Sequence, residues 1–361
     1  MPFGQLVIGP PGSGKSTYCY GMYQFLQAIG RKPSVVNLDP ANDHPSYPCA
    51  LDIRDFASLE EVMEEQQLGP NGGIVAAMEA VEEAADSFID QLQKLGNREY
   101  VIFDCPGQVE LYTHHSALRK VFMQLGKDLD YRLAVIHLVD SQCVTSASYY
   151  ISVLLLALRA MLQLDLPHIN VLSKIDLVAG YGPLPFNLNY YAEARDLDRL
   201  LPIVEKEFPG QLASKYAKLT EAIAQVVEDF GLVEFEVLAV EDKRSMISLL
   251  QVIDKANGYL FGTTEIGGDT IWAEATRGGG YVGVDIQERW IDYKEEYDEA
   301  EREAERQAQQ EQQDGDGDGE GPGPDQSMDP EDELDPEERQ WREVLAQYER
   351  EHGRPATKSN Q

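Results

Sequence analysis

Residues Gln5–Thr17 read QLVIGPPGSGKST, an apolar run that ends in glycine and passes into G-x-x-x-x-G-K-S. A buried strand before this motif and a helix after it is the context in which it forms a P-loop. The residue types explain the chemistry. Gly12 and Gly14 let main-chain N–H groups converge on phosphate oxygens, and the start of the following helix adds the positive end of its dipole. Lys15 reaches the β- and γ-phosphates, and the Ser16 hydroxyl ligates Mg²⁺. The run Gly12, Ser13, Gly14, Lys15, Ser16 and Thr17 is therefore expected to cradle a nucleotide.

Two downstream segments narrow the choice of nucleotide. In VIFDCPGQVE, Asp104 closes an apolar run and is followed by Pro106-Gly107-Gln108. A carboxylate there suits Mg²⁺, and a D-x-x-G turn can sense a γ-phosphate through the Gly107 N–H. In VLSKIDL, Lys174-x-Asp176 follows another apolar run. The Asp176 carboxylate can accept two hydrogen bonds from the N1 and N2 edge of guanine, and adenine offers no such pair of donors. GTP is thus preferred. GTPases commonly carry Asn before that Lys, and here the residue is Ser173.

Outward from the P-loop, apolar runs rich in Val, Ile and Leu recur at Pro33–Asp39, Glu99–Asp104, Leu133–Asp140, His168–Lys174 and Phe235–Val240, with helical patterns between them. Strands that are apolar on both faces and alternate with helices predict a mostly parallel sheet flanked by helices, the P-loop NTPase type of α/β fold. The apolar stretch Tyr150–Leu164 carries Arg159 and is short for a membrane span, so a buried helix is expected there.

After Gly262 the character changes, and the chain divides into a nucleotide-binding domain, 1–262, and an acidic extension, 263–361. The 361 residues carry a formal net charge of -33. Residues 285–361 alone hold 26 Asp and Glu against 9 Lys and Arg. Nucleic acid and anionic membrane are poor partners for such a surface. The extension is expected to be largely disordered, with short helices around 293–313 and near its end. Its DGDGDGE run lacks the twelfth-position Glu and the flanking helices that a calcium loop needs. Cys19, Cys49, Cys105 and Cys143 form no C-x-x-C pair and no metal spacing, which fits a reducing compartment. The first residues, MPFGQLVIGPP, lack the basic-then-apolar pattern of a signal peptide.

One stretch remains. Between two helical patterns, Leu59–Glu65 and Met78–Glu83, lie Gly69-Pro70-Asn71-Gly72-Gly73. On residue types alone this is either a turn or a loop whose bare backbone approaches a ligand. Together with GPPGSGKST, NLDPAN (Asn37–Asn42), DCPGQVE and LSKID, it makes residues 3–261 resemble the GPN-loop GTPases. The opening stretch is most similar to the second of their three eukaryotic branches. Members of that family also tend to carry Ser before K-x-D.

The resemblance implies a dimer, with itself or with a related GPN-loop GTPase. In such a dimer Gly69, Pro70 and Asn71 of one protomer reach the nucleotide of the other. It implies that Asp39 belongs to a first switch beside Mg²⁺ and the attacking water, and that Gln108 and Glu110 position that water. Without it, Asp39 reads as a turn residue and Glu110 as a carboxylate at a helix start. Ala239, at the end of the last core strand, occupies the place of a base-contacting turn but matches its usual residues poorly. The resemblance further implies RNA polymerase subunits or assembly factors as partners, in biogenesis or nuclear import, and a cytoplasmic protein that shuttles to the nucleus. Three other functions share parts of the pattern. A small-molecule kinase would want an arginine-rich lid, and residues 180–201 hold only Arg195 and Arg199. A partitioning-type ATPase would want an extra lysine where Pro10 and Pro11 stand. A scaffold that binds GTP without turning it over is compatible with every motif.

Overall fold

The computed structural model of the chain describes residues 2–96, 100–207, 213–259 and 286–300, with Arg302 and Arg306. Strands β1 (Phe3–Ile8), β2 (Pro33–Asn37), β3 (Cys49–Asp52), β4 (Tyr100–Asp104), β5 (Arg132–Asp140), β6 (His168–Ser173) and β7 (Phe235–Leu238) form one sheet in the order β3-β2-β4-β1-β5-β6-β7. Every pairing is parallel.

The period-2 alternation of a strand divides each central run between two cores. Leu6 and Ile8 of β1, with Val101, Phe103 and Val135, join one cluster, while Val7, Ile102, Ala134 and Ile136 join another on the opposite face. Helices α1 (Lys15–Ala28), α2 (Leu59–Gln66), α3 (Pro70–Glu83), α4 (Ala85–Leu95), α5 (Glu110–Thr113), α6 (Ala117–Asp128), α7 (Ala147–Leu164), α8 (Leu188–Glu193), α9 (Leu201–Glu207), α10 (Ala213–Phe230) and α11 (Lys243–Asn257) surround the sheet. Residues of α3, α4 and α6 cover the first face, and residues of α1 and α11 cover the second. Helix α7 is long and apolar enough to cross a membrane by length and composition. Tyr150, Ile151, Leu154, Ala157, Leu158 and Leu164 nonetheless pack into the core, and Arg159 lies on the exposed face.

Three features were not legible in the sequence. The sheet has seven strands where six apolar runs were legible. The added strand, β3, is four residues long at the sheet edge, and Cys49 and Ala50 are exposed. A half-wet edge strand carries no apolar run to find.

Gly69–Gly73 is not a free-standing loop. Gly69 is the N-cap of α3 in extended backbone, Pro70 is its first residue, and Asn71, Gly72 and Gly73 are its opening turn. Proline at that position costs nothing, because its missing N–H would have had no partner there. Gly73 is required by packing. A Cβ there would sit 2.5 Å from Met63 Cγ of α2.

The first compact unit runs from Met1 to Asp298. Residues 286–298 return to the core, with Trp290 buried in the cluster that holds Tyr150, Tyr191 and Phe235. The second unit, 299–361, has only Glu299, Ala300, Arg302 and Arg306 described. The expected disorder and terminal helix of the acidic extension, and its Asp-Gly run, lie outside the described residues.

Candidate nucleotide site

Four neighbouring parallel strands, β4, β1, β5 and β6, end their carboxyl edges beside one another. A parallel sheet binds ligands in the crevice beyond those ends. Each supplies one part of the site. The loop after β1 turns through Gly12 at φ 79° and Gly14 at φ 90°, left-handed backbone that glycine adopts without strain. Gly14 is the N-cap of α1, so the helix points its free N–H groups into the loop. A side chain at Gly9 would place its Cβ 2.3 Å from the Leu138 carbonyl of β5, which explains why the loop begins with glycine.

Lys15 is nearly buried, and its Nζ donates to the Pro10 carbonyl at 3.2 Å. Burial lowers its pKa, against the pull of Asp104 and Asp39, which favour the charged form. A cation held over its own loop in this way is suited to a polyphosphate. Gly107, at the end of β4, lies against the same ammonium, since a Cβ there would be 3.1 Å from Lys15 Nζ and 3.3 Å from Pro11 Cα. The D-x-x-G turn is thus brought beside the P-loop.

Asp104 Oδ2 accepts from Ser16 Oγ at 2.8 Å and from the Tyr47 hydroxyl at 2.7 Å. Its Oδ1 is buried and has no hydrogen-bond partner. Burial raises the Asp104 pKa despite both donors and Lys15, and burial raises that of Asp39 as well. Serine hydroxyl, carboxylate and a spare buried carboxylate oxygen are the hard oxygen donors that Mg²⁺ takes. Ser16 and Asp104 therefore fit the metal role. Among the described residues no group of three or more His, Cys, Asp or Glu is gathered. Asp39 takes the geometry of its turn reading and lies near the P-loop lysine. Its Oδ1 accepts from the Ala41 N–H at 3.0 Å, as in a turn, and it lies within electrostatic reach of Lys15.

The base end is formed by β6 and the turn after it. Lys174 is left-handed at φ 57°, and its Nζ donates to the Gly12 carbonyl at 2.6 Å and to Asp140 Oδ2 at 2.7 Å. The lysine stem therefore bridges the P-loop and the end of β5. Asp176 follows in the turn Ile175–Tyr181 and lines a pocket with Thr17, Tyr18, Leu138, Lys174, Val240 and Glu241. Ser173 also touches that pocket, but its hydroxyl is committed to the main chain. It donates to the Ser13 carbonyl at 2.7 Å and the Val139 carbonyl at 3.0 Å. Its part is to hold the P-loop to β6. Ala239 is buried, and its N–H and carbonyl are engaged by Ser245 Oγ. Val240 and Glu241, not Ala239, present the pocket wall.

The remaining residues separate. Gln108 is partly buried, and its Oε1 is enclosed without a partner. Glu110 is exposed in the first turn of α5, the position its helix-start reading gives it. Gly69, Pro70 and Asn71 are exposed at the tip of α3. Tyr47 and Asp140 are functional neighbours that sequence patterns missed. Neither belongs to a motif, and only the fold delivers Tyr47 to Asp104 from 57 positions away.

These features define a P-loop nucleotide-binding protein with a pocket beside the P-loop that Asp176 lines. Residues 7–259 match the family model described as "Conserved hypothetical ATP binding protein". The chain is 60% identical over 304 residues to GPN-loop GTPase 2 of Saccharomyces cerevisiae, spanning 83% of this chain and 88% of that one. It is 52% identical to GPN-loop GTPase 2 of Schizosaccharomyces pombe, over 83% and 95% of the two chains. It is 45% identical to that of Danio rerio, over 83% and 96%. A crystal structure of a Pyrococcus abyssi GTPase in apo form shares the fold at TM-score 0.55 and 23% identity, covering 70% of this chain and 97% of that one. The chain belongs to the GPN-loop GTPase family.

Proposed function

We propose that the chain is a Mg²⁺-dependent GTPase that works as a dimeric switch, with GTP and GDP as its ligands. The observation that carries the reading is Asp104, with one carboxylate oxygen bonded to Ser16 and Tyr47 and the other buried and free, beside Lys15 and Gly107. The ion, when bound, neutralises charge on the β- and γ-phosphates. The chain's own residues do the rest. The P-loop N–H groups and Lys15 orient the phosphates. Gly107 lies where a change at the γ-phosphate is felt at the end of β4. Gln108, with its side-chain oxygen enclosed beside this turn, is suited to orient an attacking water. Asp176 selects guanine in spite of the word ATP in the family description, because only a purine with N1–H and N2–H donors satisfies a carboxylate there.

The dimer is supported by where the GPN tripeptide lies. Asn71 is exposed at the helix tip, accessible to the nucleotide site of a second copy or of a related GPN-loop GTPase. RNA polymerase subunits or their assembly factors as clients, and a cytoplasmic protein that shuttles to the nucleus, rest on the family resemblance. The direct test is turnover of GTP against ATP with Mg²⁺ present or chelated. Selective, Mg²⁺-dependent release of phosphate from GTP is expected. Binding of GTP without phosphate release in a single-turnover assay would make the chain a GTP-dependent scaffold instead.

A further inference from the structure

Residues 286–298, IQERWIDYKEEYD, lie beyond the stretch 7–259 that the family model matches. They nevertheless pack on the base end of the site. Trp290 is 2% exposed. Ile286 and Ile291 pack beside it against the cluster of Val178, Leu188 and Tyr191. The Arg289 guanidinium lies 4.4 Å from the Trp290 ring centre and bonds Asp298 Oδ1 at 2.8 Å. Gln287 Oε1 accepts from the Leu188 N–H at 2.8 Å. A buried tryptophan and a buried, paired arginine fix this segment in one place, since removing either partner would leave uncompensated area or charge. From that anchor Lys294 donates its ammonium to the main-chain carbonyl of Asp176.

We infer that residues 286–298 are a clamp on the guanine pocket, in which Lys294 is a positioning residue for Asp176. The inference rests on Asp176 being the guanine-reading carboxylate. The turn Ile175–Tyr181 begins at left-handed Lys174 and carries the exposed Leu177, Gly180 and Tyr181. Its Val178 is buried under the clamp's own cluster. A cationic donor on the Asp176 carbonyl fixes the main chain at the residue whose side chain must meet two base donors at once. A bidentate contact loses most of its discrimination with small misplacement. Lys294 bonds main chain, so its effect falls on geometry and leaves the Asp176 carboxylate chemically unchanged.

The test is titration of the full chain with GDP and with inosine diphosphate, which keeps N1–H but lacks the 2-amino group. Lys294→Met is expected to shrink the preference for GDP over inosine diphosphate by about fivefold, the scale of one weakened charged hydrogen bond. Lys294→Arg, which can still donate to the carbonyl, is expected to retain the preference. A ratio unchanged in Lys294→Met overturns the inference, including the case where both affinities fall together because the segment only staples the fold. Asp176→Asn in the same titration separates the two readings. If it abolishes the preference while Lys294→Met does not, the clamp alone is wrong. If the unsubstituted chain does not discriminate, or Asp176→Asn leaves its preference intact, the reading of Asp176 fails and the clamp with it.

Discussion

The phosphate cradle and the tip of α3 both carry glycine-rich motifs, yet the structure treats them oppositely. In the cradle several polar groups are tied down. Lys15 bonds its own loop, Ser173 and Lys174 hold the P-loop carbonyls, and Ser16 and Tyr47 converge on Asp104. At the tip, Gly69, Pro70 and Asn71 face outward. The glycine there whose need is clearest, Gly73, serves the packing of α2 against α3. On the proposed reading, the cradle is complete in one chain and the tip serves another. A preorganised phosphate site needs its dipoles fixed before the ligand arrives. A segment that acts on another protomer must stay accessible until it docks.

The contrast is tested most severely by removing one group from each side. Lys15→Ala takes the central cation out of the cradle and is expected to weaken GTP and GDP binding at least about a hundredfold, on the scale of losing a buried charged donor. Nucleotide titration reads this directly, and near-normal affinity would mean the cradle is not the phosphate site. Asn71→Ala should leave GDP binding nearly unchanged and slow GTP hydrolysis roughly ten- to a hundredfold, because its group acts only as the γ-phosphate leaves. Mixing it with Lys15→Ala should restore part of the activity, since the intact tip of one chain then serves the intact cradle of the other. A mixture that exchanges subunits and stays inactive would count against the trans arrangement, provided one working site per dimer suffices. Normal turnover by Asn71→Ala alone would return the tripeptide to being a helix start.

Smaller effects sharpen the account of the cradle. Asp176→Asn is expected to cost about tenfold in GTP affinity and to gain xanthosine triphosphate. Intact GTP affinity would put the base elsewhere. Asp104→Asn should abolish Mg²⁺-dependent turnover and yet raise the melting midpoint of the nucleotide-free chain by about 2 °C at neutral pH. Burial holds the Asp104 carboxyl above its ordinary value, so its charged form costs stability as pH rises past the unfolded value toward the folded one. The gain should therefore vanish in acid, where the native carboxyl is neutral, and thermal melts across pH would show it. A gain that persists undiminished in acid would point to another cause. The smallest change is expected from truncation after Asp298, with GTP turnover kept within a few-fold. Truncation at Gly262 removes Trp290 as well and should lower the melting midpoint.

Much of this was legible because its physics is local. A strand, a glycine-rich turn and a helix start follow one another within Gln5–Thr17, so the sequence shows the phosphate cradle whole. Asp104, Gly107 and Asp176 are likewise marked by short motifs at strand ends. What stayed hidden depends on contacts between distant positions. Tyr47 reaches Asp104 only after β2, β3 and β4 have paired. Asp140 meets Lys174 only because β5 lies beside β6. Ser173 proved to be a tie to the P-loop carbonyl, and Ala239 gave way to Val240 and Glu241 at the pocket wall. The return of residues 286–298 to the core left no period to read, since its anchor is one tryptophan and one buried arginine, paired with a half-exposed aspartate, in an acidic stretch. By itself the sequence determined the class of fold and the chemistry of the phosphate end, where a few adjacent residues carry all the geometry. Tertiary structure alone decided which carboxylate oxygen is left free, where the GPN tip points and what steadies the base pocket, because burial and pairing are properties of the assembled sheet.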